Sequence, residues 1–209
     1  MARFHAVSES ATSGLNVQML NKIKEKLSAP LNKSAEFLHR FGLTPHAATL
    51  LGLLSALVSG LAYYGTRQFP QLIYLALGFL VLSGFLDAVD GAIARLSGEV
   101  TRFGGVLDSV CDRIEEMGVL VGIVAGGLVH PVIGLSALAG SLMVSYVRAR
   151  SEAEAAKMSG VGFAERPERM IILIVATVLR QVEVGVLIIA VVAWITVAQR
   201  ILHAYKQLR

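Results

Sequence analysis

Hydrophobic positions in this chain come in long blocks, separated by short polar segments. Six stretches stand out: His46–Gly65, Gln71–Leu86, a helix from near Gly104 that is wholly apolar over Met117–Val129, Val132–Tyr146, Met170–Leu179 and Val184–Ala198. About 20 apolar helical residues cross roughly 30 Å of hydrocarbon, so the first block reads directly as a span. The stretch at Met170 is ambiguous by length alone, and polar residues at its ends extend it within an enclosed bundle. Thr44-Pro45 supplies an N-cap and a proline at the first helical turn, His130-Pro131 forms a tight turn, and Ser151–Arg169 reads as a polar loop. The pattern predicts an all-α, polytopic membrane protein with six transmembrane helices.

The blocks also divide the chain. Residues 1–15 lack the apolar core of a signal peptide and read as a disordered leader. Over residues 16–43, Val17, Leu20, Ile23, Leu27 and Leu31 interleave with Lys22, Lys24, Lys26 and Lys33, and Pro30 bends or divides the segment. Such a basic amphipathic segment lies on an anionic leaflet or packs on the protein's own cytosolic face. Residues 16–209 are read as one domain, with interfacial helices over 16–43 and a six-helix bundle over 44–209.

Composition agrees with the pattern: 55% of the 209 residues are hydrophobic and only 16% charged. The net charge of +4 does not point to nucleic acid, because the basic residues are sorted by side. With six spans, all of the 19 Lys and Arg residues except Arg67 and Arg180 fall on the side of the termini. The positive-inside rule then makes that side cytosolic, in a multi-pass protein of the cell membrane. Cys111 is the only cysteine, which rules out an intrachain disulfide and reads as a buried thiol.

Candidate chemistry is concentrated between two blocks, in FLDAVDGAIARLSGEVTRFGGVLDSVCDR. Helical spacing puts Asp87 and Asp90 on one face, and Asp108 and Asp112 on one face of the next helix. Carboxylates beside a membrane are costly, and four together repel one another, so a divalent cation is the natural counter-charge. An all-oxygen donor set suits Mg²⁺, Mn²⁺ or Ca²⁺ rather than zinc. Two such ions would clamp a diphosphate, Gly91 would let a ligand approach the helix, Arg95 could fork onto phosphate, and one carboxylate could act as general base. A purely structural reading would pair the aspartates with Arg95, Arg102 and Arg113.

The ordered set Asp87, Asp90, Gly91, Ala94, Arg95, Gly104, Asp108 and Asp112 resembles the signature of the CDP-alcohol phosphotransferase family. The resemblance covers roughly residues 20–205. It implies transfer of a phosphatidyl-type lipid group from a CDP-linked lipid to an alcohol, with release of CMP. It also implies that Asp87, Asp90, Asp108 and Asp112 hold two divalent cations, Mg²⁺ or Mn²⁺, with Asp112 as the base. Contacts to the CDP-lipid would come from Gly91, Arg95 and Thr101, and from His46 and Thr49 at the start of the first span. His46 replaces the family's common Asn and could equally be a plain interfacial residue.

Arg148, Arg150, Arg166, Arg169 and Arg200 cluster at cytosolic helix ends, where they could hold a second phosphate or simply anchor the helices. The stretches SYVRARSEAEA and AERPERMIIL resemble the inositol-phosphate branch of the family. That likeness implies inositol 1-phosphate as acceptor, held by Ser145, Arg148, Arg169 and Arg200, and the family resemblance implies a homodimer. Glycerol 3-phosphate is the alternative acceptor, and a divalent-cation transporter is the alternative outside enzymes.

Overall fold

A computed structural model describes residues 30–209, which are helical apart from short connections. The expected leader over 1–15 and the segment 16–29 lie outside the described residues. Helix α1 covers residues 30–40, α2 Pro45–Gly65, α3 Leu72–Ser97, α4 Arg102–Ala125, α5 Pro131–Ala153, α6 Arg166–Val178 and α7 Val182–Leu208. Helices α2, α3, α5 and α7 are each long and apolar enough to cross a membrane. Charges in α4 and the 13 residues of α6 keep those two outside that description. The loop expected over Ser151–Arg169 is shorter than the sequence suggested, because α5 continues to Ala153 and α6 starts at Arg166. Glu152 and Glu154, which looked like loop charges, make i,i+4 ion pairs with Arg148 and Arg150 that support this last turn.

The helices form two groups. One is α2 against α3 and α4, and the other is α7 against α5 and α6; contacts of α4 with α5 and of α3 with α6 join them. Small residues let α2 and α4 approach backbone to backbone. A Cβ on Gly122 would collide with the Gly60 carbonyl, and one on Gly60 would collide with the carbonyl of Gly118. Polar side chains tie neighbours where lipid offers no partner: Ser59 donates to the Ala76 carbonyl at 2.8 Å, and the Tyr63 and Thr177 hydroxyls meet at 2.6 Å. The main core runs through Tyr63, Leu80, Leu120, Ile123, Val186 and Ile189. Large apolar residues such as Leu54, Leu61, Val121 and Val191 remain on the outside, as expected of a surface solvated by acyl chains.

Helix α1 packs across one end of this bundle, where its Ala35 is buried against Ala48, Val89, Ala92 and Ile93. Its Phe37 and the following Phe41 are exposed, their rings tilted against each other with centroids 4.8 Å apart. Within 30–40, therefore, the helix rests on the protein's own face and still presents an aromatic edge outward. The end of the bundle that α1 covers is also where the aspartate-bearing turns lie.

Candidate active site

Two helix boundaries shape the site. Helix α3 ends with Gly98 in the left-handed region (φ 71°), which glycine adopts without strain, and the chain turns directly into α4. Thr101 caps α4 by accepting from the Gly104 amide at 2.9 Å, and Thr44 caps α2 by accepting from Ala47 at 3.2 Å. A Cβ on Gly104 would lie 2.9 Å from the Thr101 hydroxyl and 3.3 Å from His46 Cε1, so this glycine keeps the two caps close together.

Between them is a cavity of about 360 Å³. Helix α2 contributes His46 and Thr49 to its wall, and α3 contributes Asp90, Gly91 and Arg95; Thr101, Gly104 and Asp108 close the side toward α4. All five residues expected to contact the CDP-lipid thus face one space, together with two of the four aspartates. Asp90 is buried and accepts a 2.7 Å hydrogen bond from Thr49, whose hydroxyl also lies 3.1 Å from the Pro45 carbonyl. His46 lies edge-on to Phe103, with centroids 6.4 Å apart.

Asp87 and Asp112 meet deeper in the bundle through a residue that sequence reasoning had placed elsewhere. Arg166, the first residue of α6, pairs with Asp87 and sends the same nitrogen to Asp112 Oδ1 at 2.6 Å. Its other terminal nitrogen reaches Glu115 Oε2 at 2.5 Å, and that oxygen also accepts from Ser83 at 2.6 Å. Arg113 is the one arginine of the expected structural set found here, 3.1 Å from Asp112 Oδ2. Ser83 and Glu115 escaped the sequence reading because they lie outside the aspartate pattern. Helical spacing held the clue: Ser83 is one turn before Asp87, and Glu115 one turn after Asp112.

The donor set suits a hard cation. Asp87, Asp112 and Glu115 meet on Arg166, Asp90 and Asp108 line the neighbouring cavity, and among the described residues Asp87 Oδ1 and Glu115 Oε1 are buried without a hydrogen-bond partner. Among the described residues, no three acidic, histidine or cysteine side chains stand close enough to ligate one ion as they are oriented here. Arg166 holds Asp87 and Asp112, and Thr49 holds Asp90, so ligation requires side chains of this cluster to turn.

Of the expected acceptor residues, Arg148, Arg169 and Arg200 come together in a second cluster at the α5–α6–α7 corner. Arg200 is 2% exposed and donates to the carbonyls of Val161 (2.8 Å) and Val144 (2.7 Å) and to Glu165 Oε1 (2.7 Å). Arg148 reaches the same Glu165 oxygen at 3.4 Å and Glu152 at 3.1 Å. Arg169, also 2% exposed, grips Glu116 with two nitrogens at 2.6 and 2.7 Å and donates to the Ala164 carbonyl. Ser145 is half-buried next to Val144 on α5. Gly162 (φ 113°) lets the α5–α6 connection pass against Thr196, which brings Val161 over Arg200. The acidic partners Glu116 and Glu165 were not anticipated.

A helical bundle with this aspartate-lined cavity defines the class, and comparison with known proteins agrees. The chain belongs to the CDP-alcohol phosphatidyltransferase family, which it matches over residues 43–202. It is similar to the archaetidylinositol phosphate synthase of Pyrococcus horikoshii, with 41% identity over 190 residues, covering 91% of this chain and 98% of that one. Its fold is similar to that of Mycobacterium tuberculosis phosphatidylinositol phosphate synthase with CDP-DAG bound. That match has a TM-score of 0.73 and 31% identity, and covers 84% of this chain and 93% of the other. The mycobacterial enzyme in complex with manganese and citrate matches at the same TM-score and identity, covering 84% of this chain and 88% of the other.

Proposed function

We propose that this chain transfers a phosphatidyl-type lipid group from a CDP-linked lipid to inositol 1-phosphate, releasing CMP. The observation that carries this reading is the adjacency of two unlike clusters, a group of aspartates beside an open cavity and a group of arginines, linked through α6. Arg166 at its first residue reaches Asp112, and Arg169 one turn later belongs to the arginine cluster. The names of the relatives support the same donor and acceptor.

In this reading Asp87, Asp90, Asp108 and Asp112 hold two divalent cations, Mg²⁺ or Mn²⁺. When bound, these ions offset the charge of the diphosphate and of departing CMP. Arg95 and the open helix face at Gly91 receive the phosphates, and Thr101, Thr49 and His46 border the nucleotide. Asp112 takes the proton from the acceptor hydroxyl; the oxygen bonds to the lipid-side phosphorus as the bond from that phosphorus to CMP breaks. Ser145, Arg148, Arg169 and Arg200 hold the acceptor's own phosphate.

The same reading makes α4 and α6 the remaining two of six spans, with their polar ends at the site, and puts the site and both termini on the cytosolic side. Residues 16–209 act as one domain, helix α1 lies along the interface, and the protein works as a homodimer.

The test is CMP release from a CDP-linked lipid, of diacyl or archaeal ether type, by purified protein. Acceptors are inositol 1-phosphate, glycerol 3-phosphate and free inositol, each with Mg²⁺ or Mn²⁺. Turnover with inositol 1-phosphate alone is expected. Turnover with glycerol 3-phosphate instead would reassign the acceptor, and metal flux into liposomes without any CMP release would make the chain a transporter.

A further inference from the structure

Glu165 occupies a position that its place in the helix does not explain. It is the N-cap of α6, yet its side chain makes no capping hydrogen bond. The carboxylate turns instead to Arg200 at 2.7 Å and Arg148 at 3.4 Å, two of the arginines assigned to the acceptor phosphate. Three carboxylates serve this corner: Glu152 pairs with Arg148 within α5, and the other two differ in how firmly they are held. Glu116 is 16% exposed and grips Arg169 through both oxygens. Glu165 is 39% exposed, and one of its oxygens serves both arginines. Arg200 does not depend on Glu165 for its position, because the Val161 and Val144 carbonyls hold its other nitrogens.

We propose that Glu165 is a built-in stand-in for the acceptor's phosphate, a specificity-determining residue that a phosphorylated alcohol displaces and a neutral alcohol does not. The inference rests on the reading that Arg148 and Arg200 bind that phosphate. A carboxylate there neutralises the guanidinium groups while the acceptor is away. A phosphate dianion brings more charge and more acceptor oxygens, and so replaces it. An alcohol without phosphate has nothing to exchange for the carboxylate, so the pair excludes it.

The test compares wild type, Glu165→Gln and Glu165→Asp as purified full-length proteins, with saturating CDP-lipid and Mg²⁺. For Glu165→Gln, KM for inositol 1-phosphate should fall about fivefold, the upper range for a partly exposed ion pair, with kcat within about twofold. For Glu165→Asp, one methylene shorter, a smaller fall is expected. A residue that merely supported the arginines would raise KM on removal, and an unchanged or raised KM overturns the proposal. Should Glu165→Gln not fold, Glu165→Asp decides by the same sign. A wild type inactive with inositol 1-phosphate refutes the acceptor reading instead. Calorimetric titration of inorganic phosphate then decides for Glu165: binding about fivefold tighter in the variant supports the stand-in, and equal or weaker binding overturns it.

Discussion

Asp112 and Arg166 make opposite predictions although they touch. Replacing Asp112 with Asn keeps its size but removes the proton acceptor and one of the two oxygens that accept from Arg166 and Arg113, so CMP release should fall at least about a hundredfold while the protein stays folded. Gel filtration and a detergent melting curve check the second half of that statement. Arg166→Ala instead leaves Asp87, Asp112 and Glu115 without their shared cation, and losing a buried partner costs about 3–5 kcal/mol. Its melting temperature without metal should therefore drop. Added Mn²⁺ should raise it further than in wild type, because no guanidinium competes for the carboxylates. An equal Mn²⁺-induced rise in both proteins would show that Arg166 and the metal do not share these ligands.

Among the elements, the α2–α4 crossing is the most exacting. Gly122→Ala puts a methyl group into the Gly60 carbonyl, and the helices must separate. A loss of about 2–3 kcal/mol is expected, read as a lower unfolding midpoint in detergent. Gly78→Ala, where an added Cβ meets nothing, is the matched control. The sequence announced most helices well, because apolar blocks and Thr-Pro or His-Pro starts are local signals. It misjudged the start of α6 because Arg166-Pro167-Glu168-Arg169 reads as loop chemistry, whereas partners from α3 and α4 draw that turn into the bundle. The aspartates, Gly91 and Gly104 were legible from fixed spacing. Glu115, Glu116 and Glu165 were not, since a single acidic residue becomes informative only when a distant arginine is seen against it.

At the scale of the whole molecule, two measurements probe the assignment. Chelating divalent ions should abolish CMP release, and restoring Mg²⁺ or Mn²⁺ should recover it. In a Cys111→Ser background, Glu154→Cys should react with an impermeant thiol reagent only from the cytosolic side, and Gln68→Cys only from the opposite side. The reverse labelling would invert the topology that the basic residues imply.

The shortness of α6 has a consequence for where the chemistry happens. Thirteen helical residues rise about 20 Å, some 10 Å less than the hydrocarbon thickness. In the six-span arrangement its far end lies near the outer boundary, so Arg166 and Arg169 begin well beneath the inner surface. A water-soluble sugar phosphate would then meet the lipid-anchored nucleotide below the inner surface. Neither reactant has to leave the phase in which it dissolves.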